Sequence, residues 1–344
     1  MIDDNALLRI KNLKVEYRLE DYFLKAVDGV TIEIKKGQCF GLVGESGSGK
    51  TTVIKAVLKL LSPNARVTEG TILLKGKDIT KISEKEMDQL RWTEISFISQ
   101  SAMNALNPVA RISNEMLKTF MAHGHSSKKE IFERCEQLFE MVGLNKNRLA
   151  DFPHQFSGGM RQRAIIAMAL ALNPSLIIAD EPTTALDVIM QAQIINLLKT
   201  LSEEKGISIF LITHDIAIIA ELCHTVGVMY AGRLMEFGDI GKVFNNPHHP
   251  YTMGLKGAFP TIKELSKSLI SIPGSPPKRI DVSSICGFSE RCPFAIEKCR
   301  NESPEMIAMG ENHFAACHRT DRAKTFQEEI KSIFGATLRS SSSV

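Results

Sequence analysis

Three largely apolar runs in the chain are typical of strands buried inside a parallel sheet. They cover residues 39–43, 176–182 and 208–213. A strand that helices cover on both faces shows such continuous runs in place of an apolar and polar alternation. The first run is followed, at residues 52–61, by apolar positions at helical spacing. This order of strand and helix predicts an α/β fold with a buried sheet at its centre.

Two further patterns predict subdomains attached to this core. Short β-like runs at residues 8–11 and 27–34, with a hairpin pattern over 70–79, indicate an antiparallel sheet. From residue 101 to 153 the chain becomes polar with helical spacing. An apolar helix then continues the helical region, so we expect an inserted helical subdomain at about 101–172.

The 344-residue length favours a core domain with an appendage, and the sequence indicates where the division lies. Residues 272–277 form a proline-rich linkage, which is typical of a domain edge. We predict a main domain at 1–255 and a small cysteine-containing extension at 256–344. The serine-rich end at 340–344 is expected to be disordered.

Composition and charge narrow the class of protein. The chain has 42 basic and 39 acidic residues and a net charge of +3, so bulk charge does not indicate nucleic-acid binding. The acidic start has no secretory pattern. Apolar stretches such as 164–172 are shorter than the roughly 20 residues that span a bilayer. These features predict a cytoplasmic protein without its own membrane span.

The loop at residues 44–51 fits the phosphate-binding pattern G-x-x-x-x-G-K-[ST] at every defined position. Its glycines let successive backbone N–H groups point inward, and the following helix adds the positive end of its dipole. Lys50 is expected to reach the β- and γ-phosphates of a triphosphate, and the Thr51 hydroxyl to bind Mg²⁺. The candidate nucleotide-binding residues here are Gly44, Glu45, Ser46, Gly47, Ser48, Gly49, Lys50, Thr51 and Thr52.

Polar groups at the ends of the other two buried runs complete a candidate catalytic set. Asp180 is placed to hold the Mg²⁺ shell, and Glu181 to orient or deprotonate an attacking water. His214 follows the third strand and is a candidate for a γ-phosphate contact. Ser157, Gly158 and Gly159 open a helix and form a second candidate anion site, although simple capping gives the same pattern.

Cysteine usage divides into two groups. Cys39, Cys135 and Cys223 lie in apolar surroundings, where inert core thiols are expected. Four clustered cysteines near the C-terminus suggest a metal site, because structural disulfides are rare in cytosolic proteins. Their spacing is longer than the usual zinc knuckle, so zinc, a [4Fe–4S] cluster and four free thiols all remain possible. The four residues are Cys286, Cys292, Cys299 and Cys317.

These motifs, taken in order over about residues 7–255, resemble the ATP-binding subunit of an ABC transporter, a P-loop NTPase with a RecA-like core. The resemblance implies a Mg²⁺ site at Thr51, Gln100 and Asp180, catalysis by Lys50, Gln100, Glu181 and His214, and nucleotide contacts from Tyr17, the 44–52 loop, residues 157–159 and Asp187. Tyr17 is then the residue that stacks on adenine. The signature reads Phe-Ser-Gly-Gly-Met in place of the frequent Leu-Ser-Gly-Gly-Gln.

The C-terminal segment, with residues 153–155 before the signature, resembles the dipeptide and oligopeptide importer subfamily. That resemblance implies an ATPase that powers peptide import at the cytoplasmic face of the membrane. It also implies a [4Fe–4S] cluster on the four cysteines, with zinc as the alternative. The implied partners are a paralogous second ATPase, two transmembrane permeases and an extracytoplasmic peptide-binding protein. Alternatives are a nickel or oligosaccharide importer, or a soluble ABC ATPase without a permease.

Overall fold

The computed structural model describes residues 5–100, 106–258, 272–277 and 284–341. The chain forms two compact units, each assembled from three separate stretches. The first unit contains Met1–Leu7, Ile34–Cys39 and Lys81–Leu211. The second unit contains Leu8–Glu33, Phe40–Thr80 and Ile212–Val344.

Strands and helices alternate through most of the described sequence. The strands are β1 (Ala6–Arg18), β2 (Phe23–Lys35), β3 (Cys39–Val43), β4 (Ala65–Leu74), β5 (Lys77–Asp78), β6 (Ile95–Ile98), β7 (Leu176–Asp180), β8 (Ser208–Ile212), β9 (Thr225–Tyr230), β10 (Arg233–Asp239), β11 (Ile307–Gly310) and β12 (His313–Ala315). The helices are α1 (Lys50–Val57), α2 (Glu84–Leu90), α3 (Ile112–Ala122), α4 (Lys128–Met141), α5 (Gly158–Ala169), α6 (Val188–Lys205), α7 (Ile216–Leu222), α8 (Ile240–Asn245), α9 (Pro250–Ala258), α10 (Glu297–Asn301) and α11 (Ala323–Ser341).

The second unit carries the predicted antiparallel sheet. Its strand order is β2-β1-β4-β5, and β1 pairs antiparallel with β4 from Leu8↔Leu74 to Tyr17↔Ala65. The hairpin expected at residues 70–79 is the β4–β5 pair. Strands β11, β12, β10, β9 and β3 also lie side by side in that order, and β3 runs parallel to β9.

The first unit carries two of the three predicted buried strands and the helices expected at about 101–172. Strands β6 and β7 pair in parallel, with Ser96 opposite Ile177, and β8 lies next to β7. Every residue of β7 and β8 is buried, as their apolar runs predict. Helices α3, α4 and α5 pack on one another in sequence order.

Helix α1 ends at Val57, four residues earlier than the apolar spacing predicts. Lys59 adopts a left-handed conformation with φ +52°. The Leu60 N–H donates to the Lys55 carbonyl at 2.8 Å, and the Lys59 N–H donates to the Ala56 carbonyl at 3.2 Å. This is the hydrogen-bond pattern of a Schellman stop, in which glycine usually occupies the position of Lys59. The sequence does not predict this helix stop, because lysine is a good helix former.

Helix α11 packs on α9 and forms a small core within the second unit. Met253, Phe294, Phe326 and Ile330 are buried together, and the rings of Phe294 and Phe326 stack with centroids 3.9 Å apart. Helix α11 continues through Ser341, which corrects the expectation of disorder from residue 340; residues 342–344 lie outside the described part. None of the described helices combines the length and the apolar character that crossing a membrane requires.

Candidate functional site

The phosphate-loop motif lies between the fully buried strand β3 and helix α1 in the second unit. Gly49 is the residue that starts the helix, with φ +104°. A Cβ atom there would lie 2.3 Å from the Ala26 carbonyl oxygen, so only glycine fits this position. The loop therefore presents the N-terminus of α1, the positive end of the helix dipole, to any bound anion.

Lys50 is buried within this loop. Its Nζ donates hydrogen bonds to the Gly44 and Glu45 carbonyls at 2.7 and 2.8 Å and to Ser48 Oγ at 3.2 Å. Thr51, the next residue, is exposed. The loop thus holds an ammonium group inside the curve of its own backbone, as a phosphate-binding loop requires.

Tyr17 lies near the end of β1 and is half-buried. Its hydroxyl is 3.4 Å from Thr52 Oγ1, in the first turn of α1. The ring therefore lies next to the phosphate loop. Its stacking on adenine stays a prediction.

One of the two predicted carboxylates, Glu181, contacts Gln100 in the first unit. Because β6 and β7 are parallel, their carboxyl ends lie at the same edge of the sheet, which brings Gln100 close to Glu181. Gln100 Nε2 donates to Glu181 Oε2 at 2.9 Å. Asp180, at the end of β7, is buried. The sequence analysis did not single out Thr184, whose hydroxyl donates to the same Glu181 oxygen at 3.0 Å.

The remaining predicted residues lie at helix starts and a strand end. Ser157 caps α5 by accepting from the Met160 N–H at 3.3 Å, and Asp187 caps α6 by accepting from the Met190 N–H at 2.8 Å. Both side chains are exposed, as is His214 two residues after β8. Capping accounts for their local geometry, and their contacts with nucleotide stay predictions.

A buried carboxylate that the sequence analysis missed joins three parts of the second unit. Glu236, in β10, accepts from the His248 and His249 backbone N–H groups at 2.8 and 3.0 Å. His313, in β12, lies 2.7 Å from the same carboxylate. Both carboxylate oxygens of Glu236 therefore make hydrogen bonds, and they hold the backbone of His248 and His249 in place before α9. The available signal was a glutamate between apolar neighbours, in the run Leu234-Met235-Glu236-Phe237.

Comparison with known proteins places the chain in a family. Residues 27–184 match the family described as ABC transporter, and residues 235–299 match the family described as oligopeptide/dipeptide transporter, C-terminal region. The dipeptide transport ATP-binding protein DppD of Caldanaerobacter subterraneus subsp. tengcongensis is 40% identical over 91% of this chain and 97% of its own length. This chain belongs to the ABC transporter ATP-binding proteins.

Other relatives agree with this assignment. The oligopeptide transport ATP-binding protein OppD of Salmonella typhimurium is 41% identical over 92% of this chain and 94% of its own length. The dimeric post-hydrolysis structure of the ATP-binding cassette MJ0796, bound to ADP and Pi, aligns with a TM-score of 0.61 and 28% identity, covering 68% of this chain and 98% of that one. The P-loop fold and the ATPase class are thereby confirmed.

The predicted iron–sulfur cluster is wrong, and its zinc alternative is unsupported. Among the described residues, one group of three potential metal ligands has its ligand atoms within 4.8 Å of one another, namely Glu236, His248 and His313. The four C-terminal cysteines form no such group. The names of the matched relatives mention ATP binding and peptide transport and no cluster. Burial raises the pKa of Cys286 to about 11 and those of Cys292 and Cys317 to about 12. Cys286 is buried, like Cys39 and Cys135, whose pKa burial also raises to about 11, whereas Cys292 and Cys317 are partly buried.

Proposed function

We propose that this chain is the ATP-hydrolysing subunit of an importer of dipeptides or oligopeptides. The observation that carries the proposal is the identity of about 40% over nine-tenths of the chain with transport ATP-binding proteins named for these substrates. The match of residues 235–299 to the C-terminal region of that transporter class supports the same substrate class.

In this proposal the phosphate loop binds the β- and γ-phosphates of ATP. Lys50 exchanges its carbonyl partners in the loop for phosphate oxygens, and Tyr17 stacks on the adenine. Thr51, Gln100 and Asp180 hold Mg²⁺, since hydroxyl, amide and carboxylate oxygens are the ligands that this ion prefers. The Gln100 amide nitrogen donates to Glu181, so that contact does not use its amide oxygen. When bound, Mg²⁺ neutralises charge on the transferred phosphoryl group.

Glu181 is the proposed general base. Two donors, Gln100 Nε2 and Thr184 Oγ1, hold one of its oxygens and thereby fix the direction of the carboxylate. The base must point at the attacking water while the γ-phosphate leaves, and this orientation supplies part of the rate. His214 contacts the γ-phosphate and stabilises its charge in the transition state.

The proposal includes a second ATPase subunit. The relative MJ0796 has been solved as a dimer. Here Ser157, Gly158, Gly159 and Asp187 would complete the nucleotide site of the partner subunit, so that two subunits enclose two ATP molecules. Closure of this pair drives two membrane permeases, which receive peptide from an extracytoplasmic binding protein, and the chain lies peripherally at the cytoplasmic face.

Uptake of a labelled dipeptide by proteoliposomes tests the proposal. The reconstituted transporter is compared with the variants Glu181→Gln and Glu204→Gln, the latter an exposed carboxylate on α6. We expect ATP-driven uptake with the wild type and with Glu204→Gln, and none with Glu181→Gln. Equal uptake in all three would refute the assignment. Uptake of nickel or an oligosaccharide in place of peptide would refute the substrate class alone.

A further inference from the structure

A residue of the C-terminal extension contacts the phosphate loop directly. Arg291 Nη1 donates to Glu45 Oε2 at 2.7 Å, across 246 positions of sequence. The Arg291 side chain is only 8% exposed and that of Glu45 is 23% exposed. In an ion pair this well shielded from solvent, the Coulomb attraction between the two charges is stronger than in an ordinary surface pair.

The guanidinium group is held rigidly on its other sides. Its Nε donates to the Pro273 carbonyl at 2.8 Å, and Nη2 lies 3.3 Å from the carbonyls of Ile272 and Gly274. Nη1 also donates to the Tyr230 hydroxyl at 3.1 Å. These acceptors fix the orientation of the planar guanidinium group. Arg291 therefore holds its positive charge in one position against Glu45.

The backbone of Glu45 is engaged at both ends. Its N–H donates to the hydroxyl of Tyr251, a fully buried residue of α9, at 2.9 Å. Its carbonyl accepts from Lys50 Nζ at 2.8 Å and from the Ser48 N–H at 3.2 Å. Residues outside the motif therefore fix the position where the loop begins to curl.

The charges of Arg291 and Glu45 make their contact relevant to phosphate binding by the loop. Glu45 places a carboxylate on the loop proposed to bind a triphosphate, and an unpaired carboxylate there would repel the phosphates. Burial lowers the pKa of Arg291, but hydrogen bonds with Glu45 and Tyr230 outweigh this and leave the pKa raised. Arg291 thus places its positive charge directly against the Glu45 carboxylate.

We propose that Arg291 is a positioning residue for nucleotide binding: it neutralises Glu45 and holds the phosphate loop in its binding conformation. The inference rests on the proposed binding of ATP by this loop, and it makes ATP affinity depend on the C-terminal extension. If the loop is in its binding conformation only part of the time, the apparent dissociation constant for ATP equals the intrinsic constant divided by the fraction of time in that conformation, the competent fraction.

The test is calorimetric titration of the full chain with MgATP. Arg291→Met removes the charge and keeps a long apolar side chain. If the competent fraction falls to about one-tenth, the dissociation constant rises about tenfold. The double variant Arg291→Met/Glu45→Gln removes the unpaired carboxylate as well, and is expected to recover most of that loss. Raising the ionic strength should shrink the defect of Arg291→Met, since salt screens the repulsion.

Arg319→Met is the matched control. Arg319 lies in the same extension, where it donates to the Phe294 carbonyl at 3.2 Å and covers the Phe326 ring. We expect wild-type ATP affinity from this variant. Wild-type affinity for Arg291→Met, or no recovery in the double variant, would overturn the proposal.

Two outcomes separate this proposal from the assignment it rests on. If the wild-type chain binds no ATP, the proposed function fails before Arg291 is tested. If Arg291→Met does not fold, Glu45→Gln alone decides: with the opposing charge removed and Arg291 kept, it should bind MgATP at least about twofold more tightly. Weaker binding by Glu45→Gln would contradict charge neutralisation.

Discussion

Glu181 combines an unusual backbone with an ordered side chain. Its φ of +48° is a left-handed conformation that a glutamate rarely adopts, at a cost of about 1–3 kcal/mol. Such strain persists only where the surrounding structure enforces it. Here the hydrogen bonds from Gln100 and Thr184 converge on one carboxylate oxygen. The strained backbone and the two donors together fix the direction of the carboxylate, as a general base requires.

Replacing Thr184 with valine tests this orientation, because valine keeps the shape of threonine and removes the hydroxyl. We expect the turnover number of the transporter ATPase to fall about 3- to 10-fold, since one such hydrogen bond contributes about 1 kcal/mol. ATP affinity should not change. Thr184→Ser retains the donor and should recover most of the turnover. Equal turnover in the valine and serine variants would show that the hydroxyl does not orient Glu181.

His249 is a fully buried histidine that stays neutral in the folded protein, so its protonation in the unfolded chain lowers stability at low pH. Burial lowers its pKa to about 3, and its Nδ1 accepts from the Tyr251 N–H at 3.0 Å at the start of α9. The unfolded chain takes up this proton near the ordinary histidine pKa of about 6.5, whereas the folded chain does not. Stability from this site is therefore complete above about pH 6.5 and falls by about 1.4 kcal/mol per pH unit as the pH drops toward 3.

His249→Asn isolates this effect, because asparagine can accept the same cap hydrogen bond and does not titrate. Melting temperatures of both proteins are compared between pH 7.5 and 5. The wild type should lose melting temperature more steeply than the variant below about pH 6.5. Curves that stay parallel over that range would mean that His249 does not supply the linkage.

At the scale of elements, the sequence predicted what local patterns can specify. The buried strands β3, β7 and β8 follow directly from apolar runs, and the phosphate loop follows from its glycines and Lys50. Local pattern could not predict that α1 ends at Val57, because the left-handed Lys59 that stops the helix leaves no compositional signal. It also predicted disorder at Ser340, where the backbone continues as helix α11 through Ser341.

Apart from Thr184, which contacts Glu181 three positions away, the missed parts of the site depend on contacts between distant residues. Gln100 and Glu181 were each identified by motif, but their hydrogen bond requires the parallel pairing of β6 with β7. Arg291 and Tyr251 belong to no motif, and only the fold brings them to Glu45. The error over the four cysteines has the same origin, since clustering along the sequence does not place sulfur atoms within reach of one metal ion.

Helix α11 provides a test of the small C-terminal core. Phe326 is 2% exposed and stacks on Phe294, so Phe326→Ala should destabilise this core by about 3–5 kcal/mol. Glu328→Ala, at an exposed position of the same helix, is the control. Limited proteolysis followed by mass spectrometry should show faster cleavage within residues 284–341 for Phe326→Ala alone. Equal cleavage of both variants would mean that the stacked pair does not hold α11 in place.

At the scale of the whole molecule, neither compact unit is a continuous piece of chain. The phosphate loop belongs to the second unit, whereas Gln100, Ser157 and Glu181 belong to the first. Each unit needs three separate stretches, so neither unit can be obtained as one continuous fragment. Functional tests therefore need the full chain, and point substitutions are more informative than fragments.

Assembly with a second ATPase is the last property that the surface allows us to test. Val188 and Ile189 follow Asp187 at the start of α6 and are 81% and 72% exposed. Neighbouring exposed apolar side chains indicate an interaction surface, and the relative MJ0796 forms a dimer. Burial of each of these side chains in a closed pair would contribute about 1.5–3 kcal/mol.

The double variant Val188→Asp/Ile189→Asp should therefore weaken closure by at least about 100-fold. We expect the ATPase rate of the purified transporter complex to fall at least about tenfold, while the isolated chain binds MgATP with wild-type affinity. Ile307→Asp, at another partly exposed apolar position, should leave both quantities unchanged. A wild-type ATPase rate in the double variant would exclude Val188 and Ile189 from the closed interface. A loss of MgATP affinity in the isolated chain would instead locate the defect within one subunit, because closure cannot contribute to binding by a single chain.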